Sequence, residues 1–370
     1  MIKFIYVVLS ILGFGFLLSC KKSGYETRNG VVYFKDSPLR TADVDSFKSL
    51  NNVFGKDAHA VYYRGTSIEA DPASFEVLDE HYAKDKSSVY YCDNALDGKT
   101  YFTVRKNVIS RLDKADPASF QVLTDGYAKD KVYGYSNGIL FPVKDIASFQ
   151  PLNFGFAKDK ETGYYSLTMI PGSDGSSFEA ITQDFSKDRN RVYYCWINYN
   201  DPKGPRIRVT QVLDGADPGT FTVLDSYYAR DKTHVYYKNR PLKTADPLTI
   251  RFVRPNDFNY VADTTQVFYE DNVITDADPS TIELLNESYA RDSKTVFYKE
   301  KSIKGCDPAS FAVLGLGYAK DQKRVYFNGK EMKGADPVSF KMVDNVYEQD
   351  ASDANHPYYE GKIKPKETTS

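Results

Sequence analysis

Tryptophan, methionine, cysteine and histidine are all scarce in this chain, whose 370 residues include one Trp and four each of Met, Cys and His. The histidines lie far apart and have no Cys, Asp or Ser at a recurring spacing, and no phosphate-binding loop, nucleophile elbow or paired-histidine metal motif occurs. The sequence therefore predicts no catalytic residues, no bound metal and no cofactor. We expect the protein not to be an enzyme.

An excess of charge of one sign is also lacking, because 48 Lys and Arg balance 50 Asp and Glu to a formal net charge of −2. Proteins that bind nucleic acid rely on positive charge to neutralise phosphates. We therefore expect no nucleic-acid partner.

Tyrosine and phenylalanine are abundant, with 30 Tyr and 23 Phe, and they occur in short groups between turn residues. This pattern is typical of strands rather than helices. Groups that resemble Val-Tyr-Tyr begin at residues 32, 61, 89, 134, 163, 192, 235, 267, 296 and 325, with a degenerate copy at 357. The most frequent step between them is 29 residues, which predicts an array of stacked, similar units.

The unit that starts at Val325 contains each part of the repeat. Asn328 and Gly329 supply the positive φ angles of a tight hairpin turn between two short strands. Asp336-Pro337 then predicts the start of one short helical turn, since Asp caps free amides and Pro fits the first helical position. We expect three short extended segments and one helical turn in each unit, and a core that neighbouring units complete.

The repeated phrase resembles that of the DKNY-repeat family. The matching stretches are residues 85–91, 188–194 and 231–237, although no copy carries the literal Asn-Tyr of the family motif. The resemblance covers nearly all of residues 30–363. It implies a repeat protein of a bacterial lipoprotein type and no catalytic residue, because the family has no established activity.

The expected fold is all-β: tandem repeats of about 29 residues form an open, twisted, solenoid-like array. The alternative is a closed, propeller-like ring, whose blades have four strands. The sequence predicts one more hairpin than it has segments linking the hairpins. A linear stack has this excess because a hairpin lies at each end, so the open array is favoured. Pro357 stands where most copies have Val, and it suits an edge strand that ends the array.

The N-terminal region predicts a membrane anchor. The apolar run at residues 4–18 is short for a membrane span but fits the core of a signal peptide, and it is followed by Ser19 and Cys20. We interpret residues 1–19 as a lipoprotein signal peptide and Cys20 as the lipidated residue. By resemblance to bacterial lipoprotein signals, Lys21 and Lys22 without an aspartate after the cysteine imply an outer membrane, on either its periplasmic or its surface face.

The expected organisation is therefore a lipidated linker at residues 20–29, a repeat array at 30–363 and a disordered tail at 364–370. Two insertions interrupt the array at residues 93–114 and 196–215. They predict either a binding surface, with aromatic rings to pack on a sugar or a partner and polar groups to orient it, or decorations that cover a sheet edge. The candidate residues are Tyr101, Phe102, Arg105, Trp196, Asn198 and Tyr199.

Cys92 and Cys195 occupy equivalent positions in the two units that carry insertions. They would form a disulfide only if the array brought them within about 7 Å. The other expectation is that Cys92, Cys195 and Cys306 are buried or free thiols.

The sequence therefore predicts a lipid-anchored protein of the bacterial cell envelope that binds or scaffolds an envelope protein or a glycan. One alternative is a glycan-capturing surface lipoprotein. Another is an envelope hydrolase, which would need only a pair of carboxylates assembled from different units.

Overall fold

The structure is a computed structural model, and it describes residues 24–96, 104–198, 207–343 and 348–364. The chain divides into two compact units, residues 1–151 and 152–370. Cys20 and the apolar run at residues 4–18 lie outside the described residues. Within the described ranges, no helix has the length and apolar character needed to cross a membrane.

The first unit consists of short strands that form small antiparallel sheets. Sheet 1 has three strands and sheets 2, 3 and 4 have four each. The strands are Tyr25–Arg28, Val31–Phe34 and Ser37–Leu39 in sheet 1; Lys48–Ser49, Phe54–Lys56, Val61–Tyr63 and Thr66–Ile68 in sheet 2; Glu76–Val77, Tyr82–Lys84, Val89–Leu96 and Arg105–Arg111 in sheet 3; Gln121–Val122, Tyr127–Lys129, Gly134–Ser136 and Ile139–Phe141 in sheet 4; and a final strand, Gln150–Pro151.

The second unit continues the same pattern. Its strands are Phe156–Lys158, Gly163–Tyr165 and Thr168–Met169 in sheet 5; Glu179–Ala180, Phe185–Lys187, Val192–Asn198 and Ile207–Val212 in sheet 6; Thr222–Val223, Tyr228–Arg230, Val235–Tyr237 and Arg240–Leu242 in sheet 7; Arg251–Phe252, Tyr260–Ala262, Val267–Tyr269 and Asn272–Val273 in sheet 8; Glu283–Leu284, Tyr289–Arg291, Val296–Tyr298 and Lys301–Ile303 in sheet 9; Ala312–Gly315, Tyr318–Lys320, Val325–Phe327 and Lys330–Glu331 in sheet 10; and Lys341–Met342, Ala351–Ser352, Pro357–Tyr359 and Lys362–Ile363 in sheet 11.

Each repeat is therefore one small sheet whose strands follow one another in chain order, and the all-β tandem array is confirmed. The repeat has four strands where three extended segments were expected. The strand that was not expected is the second, such as Tyr318–Lys320 between the strands Ala312–Gly315 and Val325–Phe327. Asn328 and Gly329 have φ angles of 48° and 75°, and Phe327 pairs with Lys330 across them, so the predicted hairpin turn is confirmed.

The segment that links two sheets forms a turn rather than a regular helix in most repeats. In the second unit one copy closes into a 3-10 helix, Gly175–Ser177, and Asp174 caps it by accepting a hydrogen bond from the Ser176 amide. A second 3-10 segment, Asn153–Gly155, precedes sheet 5. The predicted Asp cap is thus present, although it holds a single turn.

The core lies between successive sheets. Tyr63 of sheet 2 and Tyr90 of sheet 3 belong to one buried cluster, whereas Tyr91 faces the other way and packs with Tyr135 of sheet 4. Adjacent residues of a strand point to opposite faces, so each Val-Tyr-Tyr strand contributes to two interfaces. Phe75 of the linking segment fills the space between sheets 2 and 3. The interior is therefore shared between neighbouring repeats, as the sequence predicted.

The two insertions lengthen existing hairpins. In sheet 3, Tyr90 pairs with Arg111 and the pairing continues outward to Leu96 and Arg105. In sheet 6, the corresponding pairing extends from Tyr193 to Asn198. Residues 97–103 and 199–206, at the ends of these hairpins, lie outside the described residues.

Candidate functional site

The recurring buried aspartate is a structural residue. In sheet 3, Asp85 Oδ1 accepts hydrogen bonds from the amides of Ser87 and Ser88, and Oδ2 accepts bonds from the Asp71 amide and the Tyr90 hydroxyl at 3.0 and 2.7 Å. Burial by itself raises the pKa of Asp85, but these hydrogen bonds outweigh it and lower the pKa to about 2. The aspartates that accept the corresponding amide are Asp57, Asp130, Asp188, Asp231, Asp263, Asp292, Asp321 and Asp353.

The aspartate before proline has a second structural role. Asp71 accepts hydrogen bonds from the Ser74 hydroxyl at 2.8 Å and the Ala73 amide at 3.1 Å, and it forms an ion pair with Lys86 at 3.1 Å. These hydrogen bonds and the ion pair hold the pKa of Asp71 below its ordinary value. Each of the two aspartate series is therefore engaged within its own repeat.

The lysine and tyrosine of the second strand join one repeat to the next. Lys84 Nζ donates a hydrogen bond to the Pro117 carbonyl of the following linking segment at 3.2 Å. The Tyr82 hydroxyl donates to the Gly126 carbonyl and accepts from the Gly138 amide, both in sheet 4. The conspicuous residues of the motif thus hold neighbouring sheets together, and a binding site must be sought elsewhere.

Three of the six predicted binding residues fall within the described part of the chain. Trp196 is half-buried and packs on Tyr194 with ring centroids 5.5 Å apart, so part of its surface serves the core. Asn198 lies two residues further along the same strand, and Arg105 is exposed and donates to the Asn94 carbonyl. Tyr101, Phe102 and Tyr199 lie outside the described residues.

Cys92, Cys195 and Cys306 are free thiols in the structure. Cys92 and Cys195 are fully buried in their own sheets. Burial raises the pKa of Cys92 to about 12 and that of Cys195 to about 11, which makes both thiols unreactive at neutral pH. These two cysteines act as small core residues.

A cavity of the second unit that borders titratable side chains lies on the loops of sheets 6 and 7. It has a volume of about 810 Å³ and is lined by Phe154, residues 181–184 and residues 221–227. We call it the loop groove. Most of its lining comes from the loops that precede the strands Phe156–Lys158, Phe185–Lys187 and Tyr228–Arg230, so three successive repeats contribute to one concave surface.

Asp225 lies in the sheet 7 loop of the loop groove. Its Oδ1 accepts hydrogen bonds from the amides of Tyr227 and Tyr228 at 2.8 and 2.6 Å, which forms the turn. Its Oδ2 is buried and has no hydrogen-bond partner. Burial raises the pKa of the Asp225 carboxyl above its ordinary value, and the two amide bonds offset this only in part.

Asp184 lies in the neighbouring loop of sheet 6. Its backbone carbonyl accepts a hydrogen bond from Cys195, but no residue of the described ranges donates to its carboxylate. Burial raises the pKa of Asp184, while the charge of Lys238 partly opposes the shift. Among the described residues, Asp184 and Asp225 are the acids whose pKa is raised, and both line the loop groove.

Aromatic rings complete the loop groove. Phe154 is 52% exposed and Tyr227 is 40% exposed. Phe154 has a φ angle of 62°, a conformation that costs free energy for a bulky side chain and that glycine or asparagine adopts more easily. Lys238 Nζ lies 5.0 Å from the Tyr227 ring centre and 4.7 Å from that of Tyr237.

The loop groove was not identified from the sequence. The available signal was the presence of Asp184 and Phe154 at loop positions that are occupied by His81 and Asp125 in other repeats. Partly buried carboxylates with raised pKa values beside exposed aromatic rings are characteristic of binding or catalytic sites. Within the described ranges, no group of three or more His, Cys, Asp or Glu side chains could hold a metal ion.

Comparison with known proteins gives one match. The model of the DKNYY family matches residues 54–195, 207–320 and 313–362, which together are well over half of the chain. No curated protein and no solved structure is significantly similar to it. The matched segments contain the aspartate, lysine and tyrosine contacts described above, and the chain therefore belongs to the DKNYY family.

Proposed function

We propose that this repeat protein is a lipid-anchored, extracytoplasmic binding or scaffolding surface at the bacterial cell envelope, and that the loop groove is its binding site. The observation that carries the proposal is the contrast between two kinds of aspartate. The recurring aspartates are saturated with internal hydrogen bonds, whereas Asp184 and the Oδ2 atom of Asp225 are not. A bound ligand can therefore stabilise the carboxylate charge only at Asp184 and Asp225.

The anchor rests on the N-terminal sequence. Several acyl chains on Cys20 would hold the protein on a membrane, since each buried CH₂ contributes about 0.8 kcal/mol. Cys20→Ala is expected to abolish labelling by a metabolic fatty-acid probe and to release the protein from the membrane fraction. Cys306→Ala is the control and should leave both unchanged. Retention of the label in Cys20→Ala would refute the anchor.

The binding role is tested by crosslinking in intact cells. A Gln183 variant that carries a photo-crosslinking side chain places the probe on an exposed residue of the loop groove. We expect a discrete crosslinked species that disappears when Asp184→Asn is added and persists when Asp79→Asn is added. If the crosslinked products are the same in all three proteins, the loop groove is not the binding site.

The envelope hydrolase is retained as a second candidate because two carboxylates of raised pKa line one cavity. A raised pKa favours the protonated form that a general acid uses. Release of reducing ends from cell-wall or capsular glycans, abolished in Asp184→Asn, would favour the hydrolase. Binding without product release would favour the capture role.

A further inference from the structure

The loop groove has an excess of negative charge. Its acids are Asp184 and Asp225, and the described cation that acts on Asp184 is Lys238. Among the residues that the structure describes, no cation contributes to the pKa of Asp225. A partly buried carboxylate without a partner is costly, and a charge-assisted hydrogen bond or a nearby positive charge relieves that cost. The electrostatics therefore favour a cationic ligand over a neutral or anionic one.

The protein already places one ammonium group in this environment. Lys238 Nζ lies over the ring faces of Tyr227 and Tyr237, and its charge acts on Asp184. The arrangement combines a cation–π contact with a nearby carboxylate. The edge of the loop groove is thus suited to a primary ammonium group. The ammonium group of Lys238 does not compensate the charge of Asp225.

The size and the aromatic lining indicate what else the ligand must carry. A volume of about 810 Å³ is within the range of small-molecule sites and is far larger than an ammonium group needs. Phe154 presents an exposed ring that a flat apolar face can cover. Gln183 is exposed, lines the same groove and can accept or donate hydrogen bonds. A sugar ring supplies an apolar C–H face and several hydroxyl donors.

We infer that the loop groove binds a glycan that carries free amino groups; this inference rests on the proposed function of the loop groove as the binding site. The ammonium group of an amino sugar pairs with Asp184, and its ring packs on Phe154. Asp225 acts through its charge, because its Oδ2 is buried behind the surface. The alternative ligand, a lysine-rich peptide, offers the ammonium group but no ring for Phe154.

The test is calorimetric titration of the full chain, purified in detergent, with a hexamer of glucosamine and with its fully N-acetylated counterpart. Acetylation removes the positive charge and keeps the rings. We expect the amino form to bind and the acetylated form to bind at least tenfold more weakly. The affinity should fall with added salt, as for any ligand held by charge.

Three variants locate the site. Asp184→Asn should weaken binding of the amino hexamer by roughly ten- to a hundredfold, since it removes a charge-assisted hydrogen bond. Phe154→Asn should also weaken binding, and it keeps a residue that tolerates the positive φ. Asp79→Asn changes a turn aspartate of sheet 3 at the position that Asp225 has in sheet 7; it lies outside the loop groove and should have no effect.

The outcomes distinguish failure of this inference from failure of the proposed function on which it rests. Equal binding of both hexamers, lost in Asp184→Asn, overturns the amino-group inference and leaves the loop groove as a glycan site. Binding of a lysine-rich peptide but of neither hexamer overturns the glycan assignment. Absence of any binding here, together with crosslinking that does not depend on Asp184, overturns the proposed function as well.

Discussion

Aspartate has two opposite electrostatic roles in this protein. Asp85 and Asp225 both accept two amide hydrogen bonds through Oδ1 and thereby form a turn. They differ at Oδ2, which accepts two further bonds in Asp85 and none in Asp225. The carboxylate form is consequently stabilised in Asp85 and destabilised in Asp225, and their pKa values move in opposite directions.

Asp225→Asn is expected to stabilise the protein at neutral pH by less than about 1 kcal/mol, because it removes a partly buried charge but leaves an amide nitrogen at the same unpartnered position. Asparagine keeps the turn, as Asn286 does at the same position of sheet 9. The folded-state pKa of Asp225 is raised, so its charge destabilises the fold above the unfolded pKa and not below it. Urea unfolding at pH 7 and pH 4 should give a smaller difference at pH 4. A loss of stability at both values would contradict this account.

The hydrogen bond from a tyrosine hydroxyl to the buried aspartate can be tested by exchanging Tyr and Phe between two repeats. In sheet 7 the Tyr236 hydroxyl donates to Asp231 Oδ2 at 2.9 Å, whereas sheet 9 has the buried Phe297 at this position. Tyr236→Phe should destabilise by about 1.5 kcal/mol, as a hydrogen bond to a charged group is lost. Phe297→Tyr should recover part of that amount by bonding to Asp292. Thermal unfolding of the single and double variants measures both; equal midpoints would show that the hydroxyl contributes nothing.

The two basic residues of each Lys-Asp-Lys stretch differ in what they connect. Lys84 crosses to the linking segment of the next repeat, while Lys86 pairs with Asp71 within its own repeat. The side chain of Lys84 is 22% exposed and that of Lys86 is 74% exposed. We therefore expect the first lysine to stabilise the stack and the second to contribute little.

Lys84→Met is expected to destabilise the first unit by about 1 kcal/mol, because the Pro117 carbonyl loses a charged donor. Lys86→Met is the matched control and should change the free energy of unfolding by less than about 0.5 kcal/mol. Hydrogen exchange should show faster exchange of amides at the interface of sheets 3 and 4 in Lys84→Met alone. If Lys84→Met and Lys86→Met change the free energy of unfolding equally, the two lysines do not differ in what they contribute to stability.

Some elements of the fold were predictable and others were not. The hairpin at Asn328 and Gly329 was predicted because only a tight turn requires two consecutive positive φ angles. The second strand of each sheet was missed because a strand such as Tyr82–Lys84 has only three residues, and its first two are both buried and so show no alternation. The loop groove was missed because Asp184 and Asp225 lie 41 positions apart and meet one cavity only after the sheets stack.

Within each unit, stability comes from interfaces between neighbours. The buried cluster at each interface contains side chains of two successive sheets, so the loss of one sheet exposes the face of the next. The same interfaces carry the polar contacts of the second-strand tyrosine and lysine. Binding at the loop groove spans loops of successive sheets, and a ligand there should stabilise the second unit by mass action.

Acid should destabilise the array, because its recurring aspartates accept stronger hydrogen bonds, at both oxygens, when they are ionised. The pKa values of Asp85 and Asp231 are lowered to about 2 by these bonds in spite of burial, which acts in the opposite direction. A depressed folded-state pKa gives stability that is present above the unfolded value near 4 and is lost as the pH falls through about 2.

Urea midpoints measured by circular dichroism should therefore be nearly constant from pH 7 to 5 and fall steeply from pH 4 to 2. The paired substitution Asp85→Asn and Asp231→Asn should lower the midpoint at pH 7 and flatten this dependence. A midpoint that stays constant down to pH 2 would mean that these carboxylates do not hold the repeats together.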